Sequence, residues 1–113
     1  MSTSDTPTQL VEGVELRREY LVREADGRVR RVALRFFDCT PVDEGKDWGI
    51  KFTVEGLCAR DEHPRTIYGV DALQALLNAL RVARGVLQSD ASYREGRMSL
   101  AGAPQSSDLG LGD

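Results

Sequence analysis

Y-G-V-D-A-L-Q-A-L-L-N-A-L-R-V-A-R-G-V-L-Q, running from Tyr68 to Gln88, is the stretch whose reading decides the fold. Asp71 stands where an N-cap belongs, and Gln74 three residues on completes a capping box, so a helix is expected to begin there. Leu73, Leu76, Leu77, Leu80, Ala83 and Leu87 recur at helical spacing and make a stripe wide enough to cover a sheet. Asn78, Arg81, Arg84 and Gln88 fall on the other side and read as solvated. Gly85 costs about 1 kcal/mol relative to Ala, so the last turn is expected to fray.

Working back from the helix, Arg65 to Gly69 reads as a short edge strand, and Ala59 to Pro64 as the turn before it. Trp48, Ile50, Phe52 and Val54 alternate with Gly49, Lys51, Thr53 and Glu55, the period of a strand with one buried face. Continuing that alternation places Gly56 and Cys58 inside and Leu57 outside. Cys39 to Asp47, with Pro41, Gly45 and three acids, reads as a loop.

Two earlier segments alternate in the same way, Val14 to Val22 and Val32 to Phe36, with Arg18 the one charged residue on the apolar side. Parity fixes the loop between them. A two-residue Asp26-Gly27 turn would set Tyr20 against Ala33 and mix the faces. A three-residue loop, Ala25 to Gly27, sets Tyr20 against Val32 and Leu16 against Phe36, and a one-residue slip flips a whole face. Gly27 then takes the left-handed position that a type I turn plus bulge requires.

The expected fold is α+β: a four-stranded antiparallel meander packed on one C-terminal helix, in the order β-β-β-β-α. Residues 1–9 read as a disordered lead-in, 10–88 as one domain, and 89–113 as a mostly flexible tail. Within the tail, 92–100 carries Tyr93, Met98 and Leu100 and reads as a segment that docks as a turn or an added strand. Disorder is expected beyond Gly102.

The chain has 113 residues and a net charge of -3, room for one domain and no general attraction to nucleic acid or anionic lipid. The N-terminus lacks the basic and apolar runs of a secretory signal, and no apolar stretch reaches membrane-spanning length. A cytoplasmic location is expected, with Cys39 and Cys58 as reduced thiols. The single histidine, His63, has no ligand cluster or nucleophile partner in the pattern, and phosphate-cradling glycine motifs are absent. No catalytic residue, cofactor or metal is expected.

The stretch I-Y-G-V-D-A-L-Q-A-L-L-N-A-L resembles a family of small uncharacterised bacterial domains. In that family a strand meander is followed by a G-x-D-x-L-Q-A-L helix. The resemblance covers about Glu15 to Val86 and rests on Gly69, Asp71, Leu73, Gln74, Ala75 and Leu76. It implies the fold and no reaction. Small acidic α+β domains of bacteria include immunity and antitoxin proteins, an analogy of class.

The candidate working surface is the sheet face turned away from the helix, with Arg17, Leu21, Arg35, Phe37, Lys51 and Leu57. Its apolar members, uncovered by a single helix, point to a non-enzymatic interaction domain that meets a protein partner or a second copy of itself. The alternative is a sheet that binds single-stranded RNA, with Phe37 stacking a base; Glu15, Glu19 and Glu55 count against it.

Overall fold

The computed structural model describes residues 15–58, 62–102 and 109–111; the expected lead-in over residues 1–9 lies outside them. The elements follow the order β1 (Leu16–Arg23), β2 (Val29–Val42), β3 (Asp47–Glu55), β4 (Arg65–Gly69), α1 (Ala72–Ser89), a single helical turn α2 (Ala91–Arg94), and β5 (Met98–Leu100). The strands form one antiparallel sheet in the order β4-β3-β2-β1-β5, with α1 across one face.

The fold class is α+β as the alternation predicts, but the sheet has five strands and not four. After α1 the chain crosses to the far edge, where β5 pairs with β1 through Tyr20↔Leu100 and Val22↔Met98. Three residues suffice because Met98 enters the core and Leu100 packs against it. The expected docking of 92–100 therefore takes the form of a turn, α2, followed by an added strand.

The β1–β2 hairpin has the register that parity selects, with Tyr20↔Val32 and Leu16↔Phe36. Glu24 N donates to Arg28 O at 2.8 Å, closing a three-residue loop in which Gly27 has φ 87°. β2 then runs on to Val42, where a loop was expected from Cys39. Asp38, at φ 53°, is the extra residue of a bulge between the pairs Phe37↔Lys51 and Thr40↔Gly49. The bulge resets the alternation and turns Cys39 into the core, leaving a 3-10 turn at Asp43–Gly45 as the connection to β3. Burial pushes the Cys39 thiol above its usual pKa.

β3 is central and supplies Ile50, Phe52 and Val54 to the core, with Trp48 partly buried beside them. The Phe36 and Phe52 rings meet at 5.9 Å between centroids, tilted by 45°. The alternation ends at Glu55. Gly56 turns the chain at φ 96°, so Leu57 enters the core and Cys58 is exposed, the reverse of the sequence expectation.

Asp71 caps α1 by accepting from Gln74 N at 2.7 Å. The Gln74 side chain reaches back to Val70 N at 2.9 Å, one residue before the usual capping-box donor. The helix continues through Gly85 to Ser89 with no break, its last turn held by the fully buried Leu87.

The face that α1 buries matches the expected one at Ala83 and Leu87 and is shifted elsewhere. Ala75, Ala79, Ala83 and Leu87 meet the sheet. The small alanines let the helix approach closely: a Cβ on Gly69 would fall inside van der Waals contact with the Ala75 backbone. Leu76 and Leu80 are left on the flank, half-buried, while Leu73 is 64% and Leu77 48% exposed.

The tail also departs from expectation. Residues 103–108 lie outside the described residues, but Leu109 is 3% exposed and belongs to the core cluster. Arg18, the dissenter on the apolar side of β1, donates through Nη1 to the Leu109 and Gly110 carbonyls, and Tyr20 Oη donates to Leu109 O at 2.7 Å.

Candidate interaction site

Alternation assigns Arg17, Arg35, Leu21, Phe37 and Lys51 to the outer sheet face, and the pairings keep them there. Arg17 and Arg35 stand directly opposite each other on β1 and β2. Two like charges in that position repel unless anions separate them. Glu15 takes Arg35 in a two-point contact at 2.8 and 2.9 Å and lies 3.9 Å from Arg17. Glu19 takes Arg17 and Arg31, and Glu55 takes Arg35 from the β3 side. The hydrogen bond from Arg35 holds the Glu15 carboxyl below its ordinary pKa.

The apolar members of this face are less available than the pattern suggests. Arg35 lies 5.2 Å from the Phe37 ring centroid, and Phe37 and Leu21 are half-buried. Lys51 is exposed and sits 3.8 Å from Asp38. Leu57 is not on this face: it is 7% exposed and packed in the core. The face is thus a carpet of balanced cross-strand ion pairs, each worth under about 1 kcal/mol. Beneath it Ala33 and Thr53 are buried, and among the described residues Thr53 Oγ1 has no hydrogen-bond partner.

A second group gathers where the β3–β4 connection meets the end of α1. Asp90, buried, accepts from Cys58 N at 3.0 Å and from Ser92 N at 3.2 Å, and it also takes the Ser92 hydroxyl. Burial alone would raise this carboxyl, but the Ser92 and Cys58 hydrogen bonds outweigh it and hold the pKa low. The Arg30 guanidinium lies 3.7 Å from Cys58 Sγ and pairs with Glu24, which also meets Arg97. Asp90 ties the loop after β3 to the junction of α1 and α2, and Glu24 links Arg30 of β2 to Arg97 ahead of β5. Among the described residues no cluster of His, Cys, Asp and Glu side chains could hold a metal ion.

The third surface is the outward side of α1. Val70 is 65% exposed, and Leu73 and Leu77 continue from it along the helix. Leu76 and Leu80, with Leu16, Phe36 and Leu111, line an adjoining groove of about 320 Å³. Val29 and Tyr68 are also exposed on the strands, but the line along the helix, which the leucine spacing places against the sheet, is left uncovered. A signal for this was present in the sequence. Ala75, Ala79 and Ala83 are spaced four apart beside Gly69, a small-residue stripe that competes with the leucines for the sheet.

No helix among the described residues is long and apolar enough to cross a membrane. The fold and its surfaces define a small α+β domain, an antiparallel sheet with one principal helix. The chain belongs to the DUF6968 family, a domain of unknown function, whose family model matches residues 16–112. The match runs past α1 and takes in β5 and the docked Leu109–Leu111 segment. No curated protein and no solved structure matches the chain.

Proposed function

We propose that this domain is a non-enzymatic interaction module that associates with a second copy of itself through the outward side of α1. The observation that carries the reading is the pair Leu73 and Leu77, one turn apart on α1 and 64% and 48% exposed, with the exposed Val70 just before the helix. Such a line loses contact with water when another helix lies along it.

A second copy suits this surface on two grounds. A two-fold axis places the same residues on both partners, so one apolar stripe serves as both halves of the contact. Charge also matches. In an antiparallel α1–α1 pair centred on Ala75, a rise of about 1.5 Å per residue puts Asp71 of one copy within a turn of the other copy's Arg81. The patch is small beside the roughly 800 Å² per partner of standard interfaces, so the association is expected to be weak, in the micromolar range or above. Replacing Leu73 and Leu77 by Asp is expected to abolish it without loss of stability, read by sedimentation. An immunity- or antitoxin-like role would present the same stripe to a different protein, and would leave the purified chain monomeric.

The single-stranded RNA reading draws less support. Tyr68 joins Phe37 on the outer face, over Gly49, which gives two rings for stacking. Yet Arg17, Arg31, Arg35 and Lys51 each have a carboxylate within 4 Å, and a strand of phosphates would have to displace those partners.

A further inference from the structure

The Leu109–Leu111 segment sits on a seat that reads peptide chemistry. Leu109 fills an apolar recess in the core cluster, beside Tyr20, which has no exposed surface. Two donors from alternate positions of β1 read the main chain: Tyr20 Oη and Arg18 Nη1 converge on the Leu109 carbonyl, and Arg18 also takes that of Gly110. Gly110 has φ 72°, and a Cβ there would collide with Arg18 Nη1. Leu111 then lies along the groove formed by Leu16, Phe36, Leu76 and Leu80. A leucine in a recess, two carbonyls held by β1 donors and an obligatory glycine amount to selection for the sequence Leu-Gly-Leu.

We propose that this seat is a recognition site for a Leu-Gly-Leu peptide, occupied here by the chain's own tail and open to the tail of a second copy. The structural reason is that seat and ligand lie 91 residues apart in sequence, Arg18 to Leu109, so they are separate parts of one chain. Every copy carries both, so exchange of tails between copies preserves every contact and needs no new surface. The site is distinct from the α1 stripe proposed above and does not depend on it.

The test uses the full chain. Gly110→Val should expel the tail from its own seat, because a β-branched residue strongly disfavours the φ of 72° held there, and leave the seat vacant. A fluorescent peptide of sequence Ser-Asp-Leu-Gly-Leu-Gly-Asp, residues 107–113, should then bind that variant saturably, with a dissociation constant on the order of 100 μM for so short a ligand. The unsubstituted chain should bind it at least about tenfold more weakly, because its own tail competes. The same peptide with valine in place of the glycine that corresponds to Gly110 should not bind. Adding Arg18→Ala to the Gly110→Val chain should abolish binding. No saturable binding by a folded Gly110→Val chain would overturn the proposal. If that variant does not fold, the unsubstituted chain decides. Millimolar peptide should displace the chain's own tail and shift the amide resonances of its Leu109, Gly110 and Leu111, and unchanged resonances there would count equally against it.

Discussion

Thr53 is the clearest case of a residue with a physical cost. Its hydroxyl is buried under the outer face between Arg35 of β2 and the end of the sheet, with no hydrogen-bond partner among the described residues. An unsatisfied buried hydroxyl costs about 1–3 kcal/mol, and valine has nearly the same shape without it. Thr53→Val should therefore stabilise the domain by about 1 kcal/mol in urea unfolding. A loss of stability would mean that the hydroxyl is satisfied in solution. Asp90 makes the opposite prediction. Its carboxyl is held below its ordinary pKa in the fold, so its contribution is present above the unfolded value, about 3.9, and is lost as pH falls through the lower folded value. Asp90→Asn should cost about 1–3 kcal/mol at pH 7, and its deficit should shrink below about pH 4. A deficit constant across that range would show that the carboxylate charge is not what holds the Cys58 and Ser92 groups. Neither residue stands out in the sequence, since a hydroxyl without a partner and a buried aspartate with several depend on what the fold brings around them.

At the scale of elements, α1 separates what the sequence made legible from what it did not. Its start was legible because an N-cap is a local event: Asp71 and Gln74 need only each other and the backbone between them. The β1–β2 register was legible for a similar reason, since parity and Gly27 act within one hairpin. Which side of α1 faces the sheet was not. The leucine and alanine stripes both have helical period, and hydrophobicity alone favours the larger residues. Close approach at Gly69 decides for the alanines. The consequence is an inverted order of sensitivity. Ala79→Leu should cost about 1–3 kcal/mol by overpacking, while the larger truncation Leu73→Ala should stay within about 0.5 kcal/mol. Thermal unfolding of the two variants checks this, and the reverse order would return the leucines to the sheet. Strand alternation failed at the same kind of place. Gly56 and the Asp38 bulge each shift the phase by a residue, moving Leu57 inward, Cys58 outward and Cys39 into the core.

For the whole molecule, the proposed contact surface is the outward side of α1. The outer face expected from alternation keeps Arg17, Leu21, Arg35, Phe37 and Lys51 but loses Leu57, and its charges are matched across strands. Among the large apolar residues left exposed, Val70, Leu73 and Leu77 follow one another along the start of α1. The β5 strand was legible as an added strand within 92–100, while the Leu109 contact, three residues beyond a polar stretch, was not. The most direct measurement is sedimentation velocity between about 10 and 500 μM, the range in which so small a patch associates. It would compare the unsubstituted chain, Leu73→Asp with Leu77→Asp, and Phe37→Asp. The unsubstituted chain and Phe37→Asp should shift toward dimer as concentration rises, and the α1 variant should remain monomeric with an unchanged melting temperature. An unsubstituted chain that stays monomeric throughout, or an α1 variant that dimerises as strongly as the unsubstituted chain, would contradict the assignment of the contact to α1.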